Sequence, residues 1–291
     1  MPYTNDLPQA LEDSKYVHFA DNTTIHYSST NILDAFNHTV NVLSSLTKWL
    51  RAKILSLNIT KTKYILFTTM PNAILDYDLK IGNELIEKVD CTKFLGVKID
   101  KNLEWNDHIK MVRNKLSSGL YALSSVKYIL PYEHMRQIYF TLIHPYLNYG
   151  TLLWGSAKKM HLRKLVTLQN KSIRMITLAN YNASAAPIYT TTNIMPFDNM
   201  FKSHLANLMF QHKHKQLPPA IQQLFTANIE THSHGTRQQL DPHVTRKRTK
   251  KINDTFLHKA PEYWYRIPQD IKESITINSF KNKMKIFMVN K

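Results

Sequence analysis

The stretch YVHFADNTTIHYS, Tyr16 to Ser28, reads as two β-prone runs meeting at an acidic tip. Tyr16, Val17, His18, Phe19 and Ala20 lead in, and Thr23, Thr24, Ile25, His26 and Tyr27 lead out. Aromatic and β-branched residues suit a pleated strand, and Asp21 and Asn22 between them suit a tight hairpin turn. An Asp-Asn turn is a common element with no chemistry of its own. Two carboxylates at such a tip would make a metal site; a carboxylate beside an amide leaves both readings open.

Outward from the hairpin, the first hundred residues mix strands with a helix. Ile32, Leu33, Phe36, Val40, Leu43, Leu46 and Leu50 are spaced at helical steps, which predicts a helix over Asn31 to Arg51. KTKYILFTT predicts a strand from Lys63 to Thr69, stopped by Pro71. LKIGNELI, Leu79 to Ile86, predicts a short hairpin turning at Gly82 and Asn83. CTKFLGVKID, Cys91 to Asp100, predicts one further strand.

From Trp105 the pattern turns helical. Ile109, Val112, Leu116, Leu120 and Leu123 form one stripe, and Lys110, Arg113 and Lys115 lie off it. Those cations read either as a solvated surface or as a face for a phosphate backbone. Helical spacing resumes over Tyr132 to Ile143, Lys158 to Leu178 and Asp198 to His214, with prolines between. The fold class expected is therefore α+β, with a small antiparallel sheet and a helix first and helices after.

Composition narrows the function. Lys and Arg number 38 against 21 Asp and Glu, an excess of +17 that points to a polyanionic partner, RNA or DNA foremost. No apolar run reaches the roughly 18 residues of a membrane span, and no signal peptide opens the chain. With Cys91 as the only cysteine, a reducing compartment fits and cysteine-based zinc knuckles are excluded. An intracellular protein of nucleus or cytoplasm is expected. His212/His214 and His232/His234 are His-x-His pairs without the carboxylates or cysteines that would make them zinc ligands. No glycine-rich phosphate loop occurs. Arg246, Lys247, Arg248, Lys250 and Lys251 form a cationic run that reads as a phosphate contact, a nuclear address or a solvated loop. Tyr263, Trp264 and Tyr265 read as core packing rather than base stacking.

Six blocks in order carry a resemblance. YTNDLPQAL, FADNT, LNITKTKYILF, KFLGVKIDKNLEWNDHI, HPYLNYGTLLWG with LQNKSIRMI, and YWYRIPQDIKES with SFKNKMK are similar to the carboxy-terminal half of reverse transcriptases from LINE-type (non-LTR, jockey-like) retrotransposons. The resemblance implies a partial polymerase palm over residues 1–100, a helical thumb over 101–155 and a helical, basic C-terminal region over 156–291. It implies RNA and DNA as template–primer partners. It also implies a pair of Mg²⁺ ions, held in the family by three aspartates, that activate a primer hydroxyl and neutralise the leaving pyrophosphate. Asp21 matches the first aspartate of the hairpin tip and Asn22 replaces the second. The upstream aspartate, the fingers and an amino-terminal endonuclease are expected to be missing. Lys61 is implied to face nucleotide phosphates, and Phe94, Leu95 and Gly96 to touch the primer backbone. The expectation is a fragment with a vestigial Mg²⁺ site at Asp21, inactive alone and binding no ion stably. A noncatalytic nucleic-acid-binding module, or a decayed element product with no selected role, is the alternative.

Overall fold

In the computed structural model, described here for residues 6–7, 11, 14–19, 22–69, 78–228, 241–244 and 250–289, the chain divides into two compact units, Met1–Leu103 and Glu104–Lys291. In the first, β1 (Lys15–Phe19) pairs antiparallel with β2 (Asn22–His26). Tyr16 and Ile25 lie opposite each other and pack on the buried Leu7, Leu11, Val42 and Leu46. That core-facing pair fixes the register, and it places Phe19 opposite Asn22. Asn22 is therefore a strand residue and not, as the sequence predicts, part of the turn. Ala20 and Asp21 lie outside the described residues.

Helix α1 (Ile32–Ala52) starts where the Asn31 side chain accepts a hydrogen bond from the Leu33 amide. The remaining strands do not join into the single antiparallel sheet expected. Among the described residues there are four separate two-stranded pairs, and one of them is parallel. The predicted strand over 63–69 shrinks to β3 (Lys63–Tyr64), because its partner comes from a short later segment. β4 (Lys80–Ile81) and β5 (Glu84–Leu85) make the expected hairpin, with Gly82 at φ +62°. β6 (Glu87–Lys88) pairs with β3, and the Val89 amide donates to the Tyr64 carbonyl, 3.0 Å, to close the ladder.

The predicted single strand Cys91–Asp100 is instead a hairpin, β7 (Cys91–Phe94) and β8 (Val97–Asp100). Leu95 at φ +44° and Gly96 at φ +85° form its two-residue turn. Both central residues in the left-handed region match the twist of the flanking strands. Glycine does this freely; leucine does not, which is why the turn is invisible in the composition.

The second unit is helical. The last strand ends at Asp100, and α2 (Asn106–Val126) follows, then α3 (Tyr132–Leu142), α4 (His144–Asn148), α5 (Lys159–Ile176), α6 (Ala185–Thr192) and α7 (Phe197–Lys213). After single helical turns come α8 (Phe256–Trp264) and α9 (Ile277–Val289). α2 runs along α5 and packs on α3. Their approach needs Gly119, since a Cβ there would meet Ile143 Cγ1 at 2.8 Å and the Leu142 carbonyl oxygen at 3.0 Å. One core gathers Leu116, Leu123, Tyr139, Leu147, Trp154 and Leu165. A second, where α7 meets α8 and α9, gathers Met209, Phe210, Trp264, Phe280 and Met284.

A buried amide ties the first core together. Gln169, wholly buried on α5, donates to the Tyr139 hydroxyl at 2.9 Å and to the Met195 carbonyl at 3.1 Å. Its carbonyl oxygen accepts the Phe197 amide at 2.9 Å, so every polar atom of the side chain is used. Burial pushes the Tyr139 hydroxyl up to about 12, opposed by the Gln169 hydrogen bond, so it stays protonated at any physiological pH. Gln169→Leu leaves the Phe197 amide and Met195 carbonyl without these partners, and is expected to cost about 3 kcal/mol in denaturant unfolding. Leu95→Asn, by contrast, puts a residue tolerant of positive φ into the hairpin turn and is expected to stabilise the first unit by about 1 kcal/mol in the same measurement.

Candidate nucleic-acid interface

Charge is divided sharply between the two units. Residues 104–291 hold 27 of the 38 Lys and Arg but only 10 of the 21 Asp and Glu, so the whole +17 excess lies there. Residues 1–103 are balanced, with eleven of each sign. Residues 134–197 contain no Asp or Glu at all.

Within that window α5 places its side chains in two opposed sets. Leu162, Leu165, Gln169, Ser172, Ile173 and Ile176 are buried. Lys159, Arg163, Lys164, Lys171 and Arg174 fall, by the 3.6-residue repeat, in one arc on the far side. Lys159, Arg163 and Lys164 are exposed, and among the described residues none of the five makes an ion pair. The arc continues into an open depression of about 370 Å³ between α5 and the loop after it, lined by Asn170, Lys171, Arg174, Tyr181 and Asn182. Arg174 is fixed there by donating from Nε to the Ala183 carbonyl at 2.7 Å. Lys171 Nζ sits 6.0 Å from the centre of the Tyr181 ring, which is 74% exposed. Cations beside an exposed aromatic ring can meet both a phosphate and the face of an unpaired base. This face was missed in the sequence, although the carboxylate-free window signals it.

The residues expected from the sequence are more scattered. Lys110, Arg113 and Lys115 are exposed on α2, but Arg113 and Lys115 flank its buried stripe from opposite sides, so the three do not form one face. Lys61 is exposed at the end of a 3₁₀ turn over Ile59–Lys61, whose start Asn58 caps by accepting the Lys61 amide at 3.2 Å. Phe94 ends β7, half-buried, while Leu95 is exposed at the hairpin tip beside Gly96. In the cationic run, Lys250 and Lys251 begin a single helical turn; Arg246, Lys247 and Arg248 lie outside the described residues.

Asp21, the one carboxylate expected at the hairpin tip, also lies outside the described residues, and Asn22 is exposed on β2. Among the described residues no group of three His, Cys, Asp or Glu side chains converges to hold a metal. By its chemistry the Asp21–Asn22 pair supplies one carboxylate, against the three that the resemblance implies for two ions. His212 is buried on α7, the His214 ring lies tilted against Phe210 with centroids 4.3 Å apart, and His232 and His234 lie outside the described residues. No helix among the described residues is long and apolar enough to cross a membrane.

Several blocks that carry the resemblance are structural. In HPYLNYGTLLWG, the buried Trp154 donates from Nε1 to the Tyr149 carbonyl at 2.9 Å and stacks on Phe197 at 5.4 Å. In LQNKSIRMI stands Gln169, the hub of the first core. In YWYRIP, Trp264 is fully buried and donates from Nε1 to Asp241 Oδ1 at 2.9 Å. The buried Lys272 lies 3.8 Å from Asp241 Oδ2 and 5.3 Å above the Trp264 ring. Burial lowers the Lys272 pKa and the Asp241 carboxylate opposes that.

Comparison with known proteins shows what the chain is similar to. The chain is 23% identical over 189 residues to a probable RNA-directed DNA polymerase from transposon BS of Drosophila melanogaster, 64% of this chain and 21% of that protein. It is 26% identical over 182 residues to the corresponding protein of the X-element, 60% of this chain and 20% of that one. To the RNA-directed DNA polymerase of the mobile element jockey it is 26% identical over 186 residues, 62% of this chain and 19% of that one. The chain thus spans about a fifth of the length of the curated relatives it matches. No protein-family model and no solved structure matches it. The resemblance read from the sequence is shown: across some three-fifths of its length this chain is similar to the RNA-directed DNA polymerases of jockey-type, non-LTR mobile elements.

Proposed function

We propose that this chain corresponds to the carboxy-terminal part of a reverse transcriptase, and that its own activity is sequence-tolerant binding of RNA or DNA by the helical unit. In this reading residues 1–100 are a partial palm, 101–155 a thumb and 156–291 a basic tail, working on template–primer inside the cell, in nucleus or cytoplasm. Asp21 and Asn22 are the remains of the Mg²⁺ tip, Lys61 a former nucleotide contact, and Phe94, Leu95 and Gly96 a primer contact. The chain spans about a fifth of its relatives' length, and the rest of the palm, the fingers and an endonuclease would belong to another part of a longer protein. The observation that carries the reading is the placement of the entire charge excess on the helical unit, with α5 presenting five cations and no carboxylate.

Binding through phosphates releases condensed counterions, so affinity for a single-stranded oligonucleotide should fall steeply with salt. Lys159→Gln/Arg163→Gln/Lys164→Gln is expected to lower the steepness of log affinity against log salt by about two, since each phosphate contact on a single strand contributes about 0.7. Lys110→Gln/Arg113→Gln/Lys115→Gln, with its cations spread around α2, should lower it less. Affinity independent of salt, or equal effects of the two triple variants, would remove the helical face from this role.

Polymerisation requires the ions, the primer hydroxyl and the triphosphate to be held in line. The full chain and Asn22→Asp are both expected to incorporate no nucleotide on a homopolymer template–primer with Mg²⁺ or Mn²⁺. Incorporation abolished by Asp21→Ala would overturn that.

A further inference from the structure

A second cationic site lies away from the α5 face, in a cleft of about 240 Å³ where α3, α4, α7 and α9 meet. Arg136 enters from α3, His144 from α4, His204 from α7 and Lys285 from α9, with Ser203 and Asn148 beside them. No Asp or Glu lines the cleft. Glu133, one turn before Arg136, is exposed, and among the described residues neither Arg136, Lys285 nor Glu133 makes an ion pair. Arg136 is held against the Phe140 ring at 4.9 Å, and Phe140 also contacts His144 at 5.1 Å. His204 Nε2 lies 2.8 Å from Asn148 Oδ1, an acceptor, so Nε2 carries the hydrogen and Nδ1 is the nitrogen left to take a proton.

Four cationic or protonatable groups from four helices converge here without a counter-charge. The two fixed cations, Arg136 and Lys285, repel each other when the cleft is empty and are relieved by an anion. We propose that this cleft binds a phosphate group, with Arg136 and Lys285 supplying fixed charge and His144 and His204 supplying N–H donors. Phosphate suits the set because a guanidinium and an ammonium from different sides, with imidazole and hydroxyl donors between, match several oxygens at once. Burial lowers the pKa of His144. Burial first, then the charges of His144 and Lys281, lower that of His204. A bound phosphate favours the protonated imidazoles, so binding takes up protons and weakens as pH rises. The source of the phosphate is either a nucleic-acid backbone, which rests on the function proposed above, or free inorganic phosphate, which does not.

The test follows histidine ring signals of the full chain by NMR, with His144→Gln and His204→Gln identifying the two resonances. Inorganic phosphate is expected to move both and to raise the pH at which they titrate. In Arg136→Gln/Lys285→Gln the phosphate affinity should drop at least about tenfold, the loss expected from a single charge-assisted hydrogen bond. Failure of millimolar phosphate to move either resonance, or an unchanged affinity in the double variant, overturns the site. Should the double variant not fold, the wild-type titration alone decides. A short oligonucleotide at low salt then separates the sources. If it moves the same resonances and competes with phosphate, the cleft holds a backbone phosphate. If it binds without moving them while inorganic phosphate does, the cleft serves the free anion. If it does not bind at all, the nucleic-acid function falls, and the phosphate titration still judges the cleft.

Discussion

The side-chain amide of Gln169 sets the rotation of α5 about its own axis. Its three hydrogen bonds reach Tyr139 on α3, the Met195 carbonyl and the Phe197 amide at the start of α7. A buried amide with all partners in place tolerates no slippage, because any shift would strand polar groups away from water. Once that inner face is fixed, the 3.6-residue repeat leaves Lys159, Arg163, Lys164, Lys171 and Arg174 nowhere to go but outward. The cationic surface is thus a consequence of a core hydrogen bond.

The same logic governs the second core of the helical unit. Trp264 fills its centre and spends its only donor on Asp241, whose other oxygen faces Lys272. A buried carboxylate near one ammonium and one indole N–H holds the segment carrying Asp241 against α8 with directional bonds that apolar packing lacks. The neighbouring Tyr265 hydroxyl donates to the Pro242 carbonyl at 3.1 Å and accepts from Asn228 at 2.8 Å, extending the network.

What was legible in the sequence follows from how local each signal is. The helices α2, α3, α5 and α7 repeat apolar residues often enough for the period to speak, and each lies within a few residues of its expected bounds. Strands two to five residues long offer no such repetition. Leu95 disguises a hairpin turn, and the apolar run Ile65 to Phe67 suggests more strand than β3 finds partners for. Asn22 reads as a turn residue because the register is set elsewhere, by Tyr16 and Ile25 against α1. The α5 face could have been found by asking where carboxylates are missing. The Arg136, His144, His204 and Lys285 cleft could not, since four helices distant in sequence assemble it. Asp241 and Lys272 are likewise joined only by the fold.

The division of charge also governs colloidal behaviour. The first unit has a net charge of zero, with Leu7, Leu11, Val42 and Leu46 clustered in its interior and Val17, Phe19, Phe67 and Leu85 at its surface. A surface without net charge offers no long-range repulsion to keep apolar patches from meeting. The second unit repels its own copies strongly at low ionic strength. Covalent attachment to that unit therefore acts as a solubility tag for the first, one that salt, or a bound polyanion, would switch off.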